Sequence, residues 1–184
     1  MRIYALADIH GKPERIRLVE RTAEQLRPQV VVIAGDLTHA GRGREALQLL
    51  STLPALVVAI PGNMDPADVE EAIPHHPGRR VIVQEGVRFG GLQGEACDIL
   101  VSHEPPYGIL DRAWTGQHIG SRAVRELVEQ LQPRVVVCGH VHECPGVARL
   151  DRTVVVNCTM GNDRYLGALI TWQEPEPLVE LLPR

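Results

Sequence analysis

The chain has 184 residues, of which 44% are hydrophobic and 23% charged. That length suits one domain at roughly 100–200 residues per domain, and a chain of this size buries about 70% of its unfolded surface without needing staples. The composition excludes a disordered chain, a coiled coil and a collagen-like repeat. Its 19 basic and 23 acidic residues give a net charge of −4, which argues against a general nucleic-acid or polyanion binder. All basic residues but Lys12 are arginine.

No stretch approaches the roughly 20 apolar residues that span a bilayer. The segment MRIYALADIHG turns polar at residue 8 and lacks the apolar core and small-residue cleavage site of a leader peptide. A cytoplasmic protein that does not engage a membrane is therefore expected. Cys97, Cys138, Cys144 and Cys158 form no CxxC pair and read as reduced, structural thiols. Only Cys144, which follows a His-rich loop, has a metal-proximal alternative.

Strand-length apolar runs alternate with helix-period segments, which reads as an α/β fold in a single domain over 1–184. The first strand spans about Ile3–Ala7. A helix over Pro13–Leu26 starts on a proline and carries Ile16, Val19, Ala23 and Leu26 on one face. A strand at Val30–Ala34, a helix around Arg44–Leu50 and a strand at Leu56–Ile60 follow. The proline-rich stretch 61–78 holds one short helix near Ala67–Ala72. Val81–Val83 and Val87–Phe89 flank a Glu85–Gly86 turn as a hairpin would, and Asp98–Ser102 is another strand. After the long loop 105–120, Ser121 caps a helix whose buried stripe is Val124, Leu127, Val128 and Leu131. Arg134–Cys138 is a strand. The tail (Val147–Leu150, Thr153–Asn157, Leu166–Trp172 and Leu178–Leu182) reads as successive antiparallel strands.

Polar motifs stand just past the C-terminal ends of five of these strands. They are Asp8-Ile9-His10-Gly11, Gly35-Asp36-Leu37-Thr38, Gly62-Asn63-Met64-Asp65, Ser102-His103-Glu104-Pro105-Pro106 and Gly139-His140-Val141-His142. Open α/β sheets bind ligands outside the carboxyl ends of their strands, so the five loops converge on one edge. Taken singly these are ordinary turn residues. Together, Asp, His and Asn supply oxygen and imidazole ligands that suit Mn, Fe, Zn or Co. Asp-x-His and His-x-His aim two ligands the same way in extended backbone, and a single carboxylate can bridge two cations. Glycines before Asp36, Asn63 and His140 let the backbone turn so that the next side chain reaches inward.

The ordered series D-x-H, G-D, G-N-x-D, H and G-H-x-H resembles the calcineurin-like metallophosphoesterases, over residues 3 to about 160. HEPPYGILD and GHVHE are similar to a small single-domain branch of that family. The resemblance implies a two-sheet α/β/β/α sandwich with its metal site at the C-terminal ends of the strands. It implies two divalent first-row ions, manganese favoured. One would take Asp8, His10, Asp36 and His142, the other Asp36, Asn63, His103 and His140, with Asp36 bridging. A hydroxide bridging the metals would attack phosphorus in line.

One departure matters. Where the family has G-N-H-D or G-N-H-E, this chain has Met64. A thioether donates no proton, so general-acid help, typically worth about 10²–10⁴-fold, is missing or comes from elsewhere. His39 and His118 are candidate replacements. Small relatives that lack this histidine favour phosphodiesters, so the resemblance implies a phosphodiesterase acting on a small phosphoester, with nucleic acid only as a small substrate. A phosphomonoesterase and a catalytically weak scaffold are the alternatives. His75 and His76 read as exposed loop. Tyr107, Trp114 and His118 could wall the site or simply pack their loop, and Arg112 or Arg122 could clamp a phosphate.

Overall fold

The computed structural model describes all 184 residues. Two mixed sheets pack face to face with helices outside them. The first sheet holds β1 (Arg2–Leu6), β2 (Val30–Ala34), β3 (Leu56–Ile60), β10 (Tyr165–Thr171) and β11 (Leu178–Pro183), in the order β11-β10-β1-β2-β3. The second holds β4 (Ile82–Gln84), β5 (Val87–Gly90), β6 (Ile99–Val101), β7 (Val135–Cys138), β8 (Gly146–Leu150) and β9 (Thr153–Asn157), in the order β4-β5-β6-β7-β9-β8. β1, β2 and β3 run parallel, and so do β5, β6, β7 and β9. In the first sheet β10 runs antiparallel to its neighbours β1 and β11, and in the second the edge strands β4 and β8 run antiparallel to β5 and β9.

Strand alternation builds three apolar layers. Ile3, Val30, Val32 and Val58 face Phe89, Ile99, Val101, Val135 and Val137 between the sheets. Tyr4, Leu6, Val31 and Ile33, on the opposite pleat, pack under α1 (Pro13–Leu26) with Val19 and Ala23. Leu100, Val136 and Val155 pack under α4 (Arg122–Leu131) with Val124 and Val128. The Ser121 side chain accepts from the Val124 N–H and caps α4 as expected.

The structure corrects the sequence reading in four places. The tail is not one antiparallel run. β8 and β9 form a hairpin, but β9 lies parallel to β7, and the chain then crosses to the other sheet where β10 pairs with β1. Residues 44–50 are not a regular helix: Arg44–Gln48 is a 3₁₀ turn that runs into a four-residue α2, Leu49–Thr52. The β4 strand begins one residue later than expected. His76 is buried, 8% exposed, because its loop folds back so that the Ala59 N–H donates to the His75 carbonyl. Past Ala67–Ala72, here α3, this loop therefore lies along β3 instead of in solvent. No helix is long and apolar enough to cross a membrane.

Candidate metal centre

The five loops are stitched together at the strand ends. The Asp8 N–H donates to Gly35 O at 3.1 Å, His10 N–H to Asp36 O at 2.9 Å, and Gly139 N–H to His103 O at 2.9 Å. The His140 N–H donates to Asp8 Oδ2 at 3.1 Å, joining the loop after β7 to the loop after β1. Asp65 accepts from the N–H groups of Leu37, Thr38 and Gly62 and from the Thr38 hydroxyl, at 2.7–3.0 Å. Its carboxylate is fully engaged in tying the loop after β2 to the loop after β3. Met64 contributes through its backbone: its N–H donates to Asp36 Oδ1 at 2.8 Å and aims the other carboxylate oxygen into the centre.

This stitching forces unusual backbone. Asp8, His10, Asp36 and His140 all have φ between 53° and 67°. Side chains bearing a Cβ avoid this region, and such residues gather where function demands the geometry. Of the glycines beside them, Gly11 and Gly35 have positive φ, +62° and +93°. Gly62 serves close approach instead: a Cβ there would lie 2.1 Å from Asp36 Oδ1 and 2.4 Å from Asp36 N.

Around Asp36 the side chains form two groups. Asp36 Oδ2 lies 3.8 Å from His10 Nε2 and 3.5 Å from His103 Nε2. On the first side, His10 Nε2 faces His142 Nε2 at 3.3 Å, and His142 Nε2 is 3.4 Å from Asp8 Oδ1. On the other, Asn63 Oδ1 is 2.9 Å from His103 Nε2 and 3.0 Å from His140 Nδ1. Ligand atoms of Asp8, His10 and His142 lie within 4.8 Å of one another, as do those of Asp8, Asp36 and His103. The structure thus gathers all seven candidate ligands on one edge.

Unsatisfied atoms show that this donor set fits divalent cations. Asp8 Oδ1 is buried and has no hydrogen-bond partner, although buried carboxylate oxygens normally find one. His10 and His142 point ring nitrogens at each other, an arrangement that two lone pairs tolerate only with a proton or cation between them. The His103 Nδ1–H donates to Ala34 O at 2.8 Å. That bond fixes the tautomer and leaves Nε2 facing Asn63 and Asp36, the way a backbone carbonyl commonly orients a metal-binding histidine.

Electrostatics follow from this crowding. Burial alone would raise the Asp8 carboxyl, but neighbouring His142 and the charge of His103 hold it below its ordinary value. Burial depresses His10 against the pull of Asp36, and burial with the nearby His103 charge depresses His140. Burial also disfavours charge on His103, yet its hydrogen bond to Asp36 and that carboxylate's charge outweigh it and push the imidazole up to about 9.

The remaining candidates separate. His39 lines the cleft with Lys12 and Met64, its ring 5.6 Å from His10 in an edge contact. His118 does not line this cleft. Its Nδ1 is 2.6 Å from Oδ1 of the buried Asp111, and its ring is tilted against that of Tyr107 with centroids 5.5 Å apart. Arg122 lies over the Tyr107 ring, Arg112 bonds the Gly116 carbonyl, and Trp114 is 84% exposed. Cys144 faces the Arg112 carbonyl, and Cys138 is a core thiol. Sequence reasoning missed Arg15. It is buried on the inner face of α1, where it donates to Asp8 O, Gly161 O and Asp163. Counting back four residues from buried Val19 would have found it.

The profile of the calcineurin-like phosphoesterases matches residues 1–144. An uncharacterized protein of Methanocaldococcus jannaschii is 28% identical over 198 residues, spanning 85% of this chain and 87% of its own length. A Thermus thermophilus protein superposes with a TM-score of 0.70 at 16% identity, covering 98% of both chains. An archaeal phosphodiesterase superposes with a TM-score of 0.64 at 16% identity, covering 99% of this chain and 100% of that one. The two superpositions speak for the fold, and the profile match over most of the chain speaks for the family: the chain belongs to the calcineurin-like phosphoesterases.

Proposed function

We propose that this protein is a phosphodiesterase that works with two divalent first-row ions, manganese favoured, on small phosphoesters. The single observation that carries the reading is Asp36, whose Oδ2 faces His10 on one side and His103 on the other. Asp8, His10, Asp36 and His142 would hold one ion, and Asp36, Asn63, His103 and His140 the other. When bound, such a pair acidifies water and offsets charge on phosphoryl oxygens. The residues around it have separate tasks. Lys12, exposed at the cleft rim, attracts the anionic ester. Arg15 spends its guanidinium on Asp163 and on the carbonyls of Asp8 and Gly161, so it positions Asp8 and does not bind substrate. His39 is the one neighbouring imidazole in the cleft outside the ligand set and is the proposed proton donor to the leaving oxygen. With Met64 unable to donate and Asp65 committed to backbone, esters whose leaving groups need no proton are cleaved best.

The test is metal-stripped protein restored with Mn²⁺, assayed on bis-p-nitrophenyl phosphate and p-nitrophenyl phosphate, with Asn63→Ala as control. The expected result is metal-dependent turnover, faster on the diester and lost in the variant. No turnover of either ester with two ions bound would overturn the reading in favour of a scaffold. Faster turnover of the monoester would make the protein a phosphomonoesterase.

Metal uptake should also depend on pH in a defined direction. The His103 imidazole keeps its proton up to about pH 9 in the metal-free protein, and an ion must displace that proton. Apparent affinity for Mn²⁺ should therefore rise by about tenfold per pH unit below that value and level off above it, from this group alone. His10 and His140, held below their ordinary values, add no proton release above neutral pH. Equilibrium dialysis between pH 6.5 and 9.5 measures the slope, and a flat profile would contradict it.

A further inference from the structure

A second recess adjoins the metal cleft, and its chemistry differs. It has a volume of ≈ 380 Å³, within the range that holds a small organic group. Asn63 lines both recesses, and His103 lines this one, so they meet at the proposed second ion's ligands. The metal cleft carries Lys12, Arg15 and several histidines. The second recess has no lysine or arginine in its wall. It carries the carboxylates of Glu70 and Glu104 among Ile60, Val101 and exposed Leu92.

Its wall also holds a polar group with an open valence. The Gly78 N–H donates to His76 Nδ1 at 2.9 Å, so the ring proton sits on Nε2. That Nε2 is buried and has no hydrogen-bond partner. The nearest carboxylate oxygen, Glu70 Oε1, is 3.6 Å away, beyond bonding distance. A buried donor thus stands unpaired beside a half-exposed carboxylate. A hydroxyl or amide group entering the recess could serve both with a small adjustment.

We propose that this recess is a subsite for the organic arm of the phosphoester, selecting an arm that lacks negative charge and carries hydrogen-bond donors. The inference rests on the phosphoesterase reading above and adds a substrate preference to it. The cationic cleft takes the phosphoryl group, and the acidic recess repels any further phosphate on the arm. A compact ester with a hydroxylated arm would fill both, whereas a polyphosphate would be turned away.

The test uses three p-nitrophenyl esters that release the same leaving group. They are methyl p-nitrophenyl phosphate, thymidine 5′-(p-nitrophenyl phosphate), and the latter with an added 3′-phosphate. In the wild type with Mn²⁺, the ratio of kcat/KM for the thymidine ester to the methyl ester should exceed unity by about tenfold or more, and the 3′-phosphate should remove that gain. Leu92→Trp, which fills the recess from its exposed rim, should collapse the ratio. Glu70→Lys should restore the 3′-phosphorylated ester. Unfolding or metal loss lowers all three rates together and leaves the ratios alone. A wild-type ratio near one, or ratios unmoved by both variants, would overturn the proposal.

A second readout needs neither metal nor turnover. Thymidine added to metal-free protein should shift the amide resonances of Gly78 and Gly91, which line the recess, and Leu92→Trp should abolish those shifts. Shifts elsewhere, or none, would overturn the subsite. If the methyl ester is not hydrolysed at all, the phosphodiesterase reading fails, and the amide shifts alone decide whether the recess binds.

Discussion

Replacing Asp36 with asparagine should abolish turnover of bis-p-nitrophenyl phosphate, with kcat falling by at least about 10³-fold, some 4 kcal/mol of lost transition-state stabilisation. The substitution conserves shape, and the amide can still accept the Met64 N–H at the position of Oδ1. It removes the negative charge that lies within 3.8 Å of both His10 and His103. In the proposed arrangement Asp36 is the one side chain both ions share, so its loss weakens both. Metal content by mass spectrometry should fall from two ions per chain to fewer than one, while far-ultraviolet circular dichroism stays that of the wild type. The His103 imidazole should also lose its main reason for staying protonated up to about pH 9, since the Asp36 hydrogen bond and charge lead the causes that raise it. Its titration, followed by NMR in metal-free protein, should move down. A variant that keeps both ions and wild-type turnover would remove Asp36 from the centre of the mechanism.

Gly62→Ala is the second large effect, and it acts through space alone. The added methyl would meet Asp36 Oδ1 at 2.1 Å, its backbone N at 2.4 Å and its Cγ at 2.7 Å. None of these can yield cheaply, because Asp36 is pinned by the Met64 N–H and the Gly62 N–H is itself held by Asp65. The loops after β2 and β3 must part. Overpacking of this kind costs about 1–3 kcal/mol or more, readable as a drop in urea midpoint with an unchanged slope. Activity should fall further than stability does. A misplacement of about 1 Å in a catalytic group can cost about 10²-fold. A variant that folds with wild-type stability and turns over normally would show that the Gly62–Asp36 approach is looser than the structure has it.

Much of the fold was legible because its signals are local. Pro13 and the Ile16, Val19, Ala23, Leu26 spacing mark α1 at the bounds observed, and the valine runs mark β2 and β3. The convergence of five loops was legible too, since parallel strands must end together. What could not be read depends on partners distant in sequence. Nothing near Thr153–Asn157 says that it pairs in parallel with β7, or that the next strand belongs beside β1. His76 looks like a surface residue because Pro74 and Pro77 flank it. It is buried only because its loop pairs with the edge of β3. The role of Asp65 was similarly hidden. The sequence shows a carboxylate missing its histidine partner, whereas the structure shows one engaged by three backbone N–H groups and a hydroxyl.

The left-handed backbone at Asp8, His10, Asp36 and His140 bears on how this chain can change over evolutionary time. Each such residue costs up to about 1–2 kcal/mol relative to glycine, less for aspartate, against a total stability of about 5–15 kcal/mol for a domain. At His10 and His140, whose side chains accept no backbone N–H, selection for folding alone would drift toward glycine and delete a ligand, whereas Asp8 and Asp36 also hold the His140 and Met64 N–H groups. A lineage that abandoned catalysis should therefore lose its ligands first at His10 and His140, and keep Asp8 and Asp36 longer for the backbone they hold.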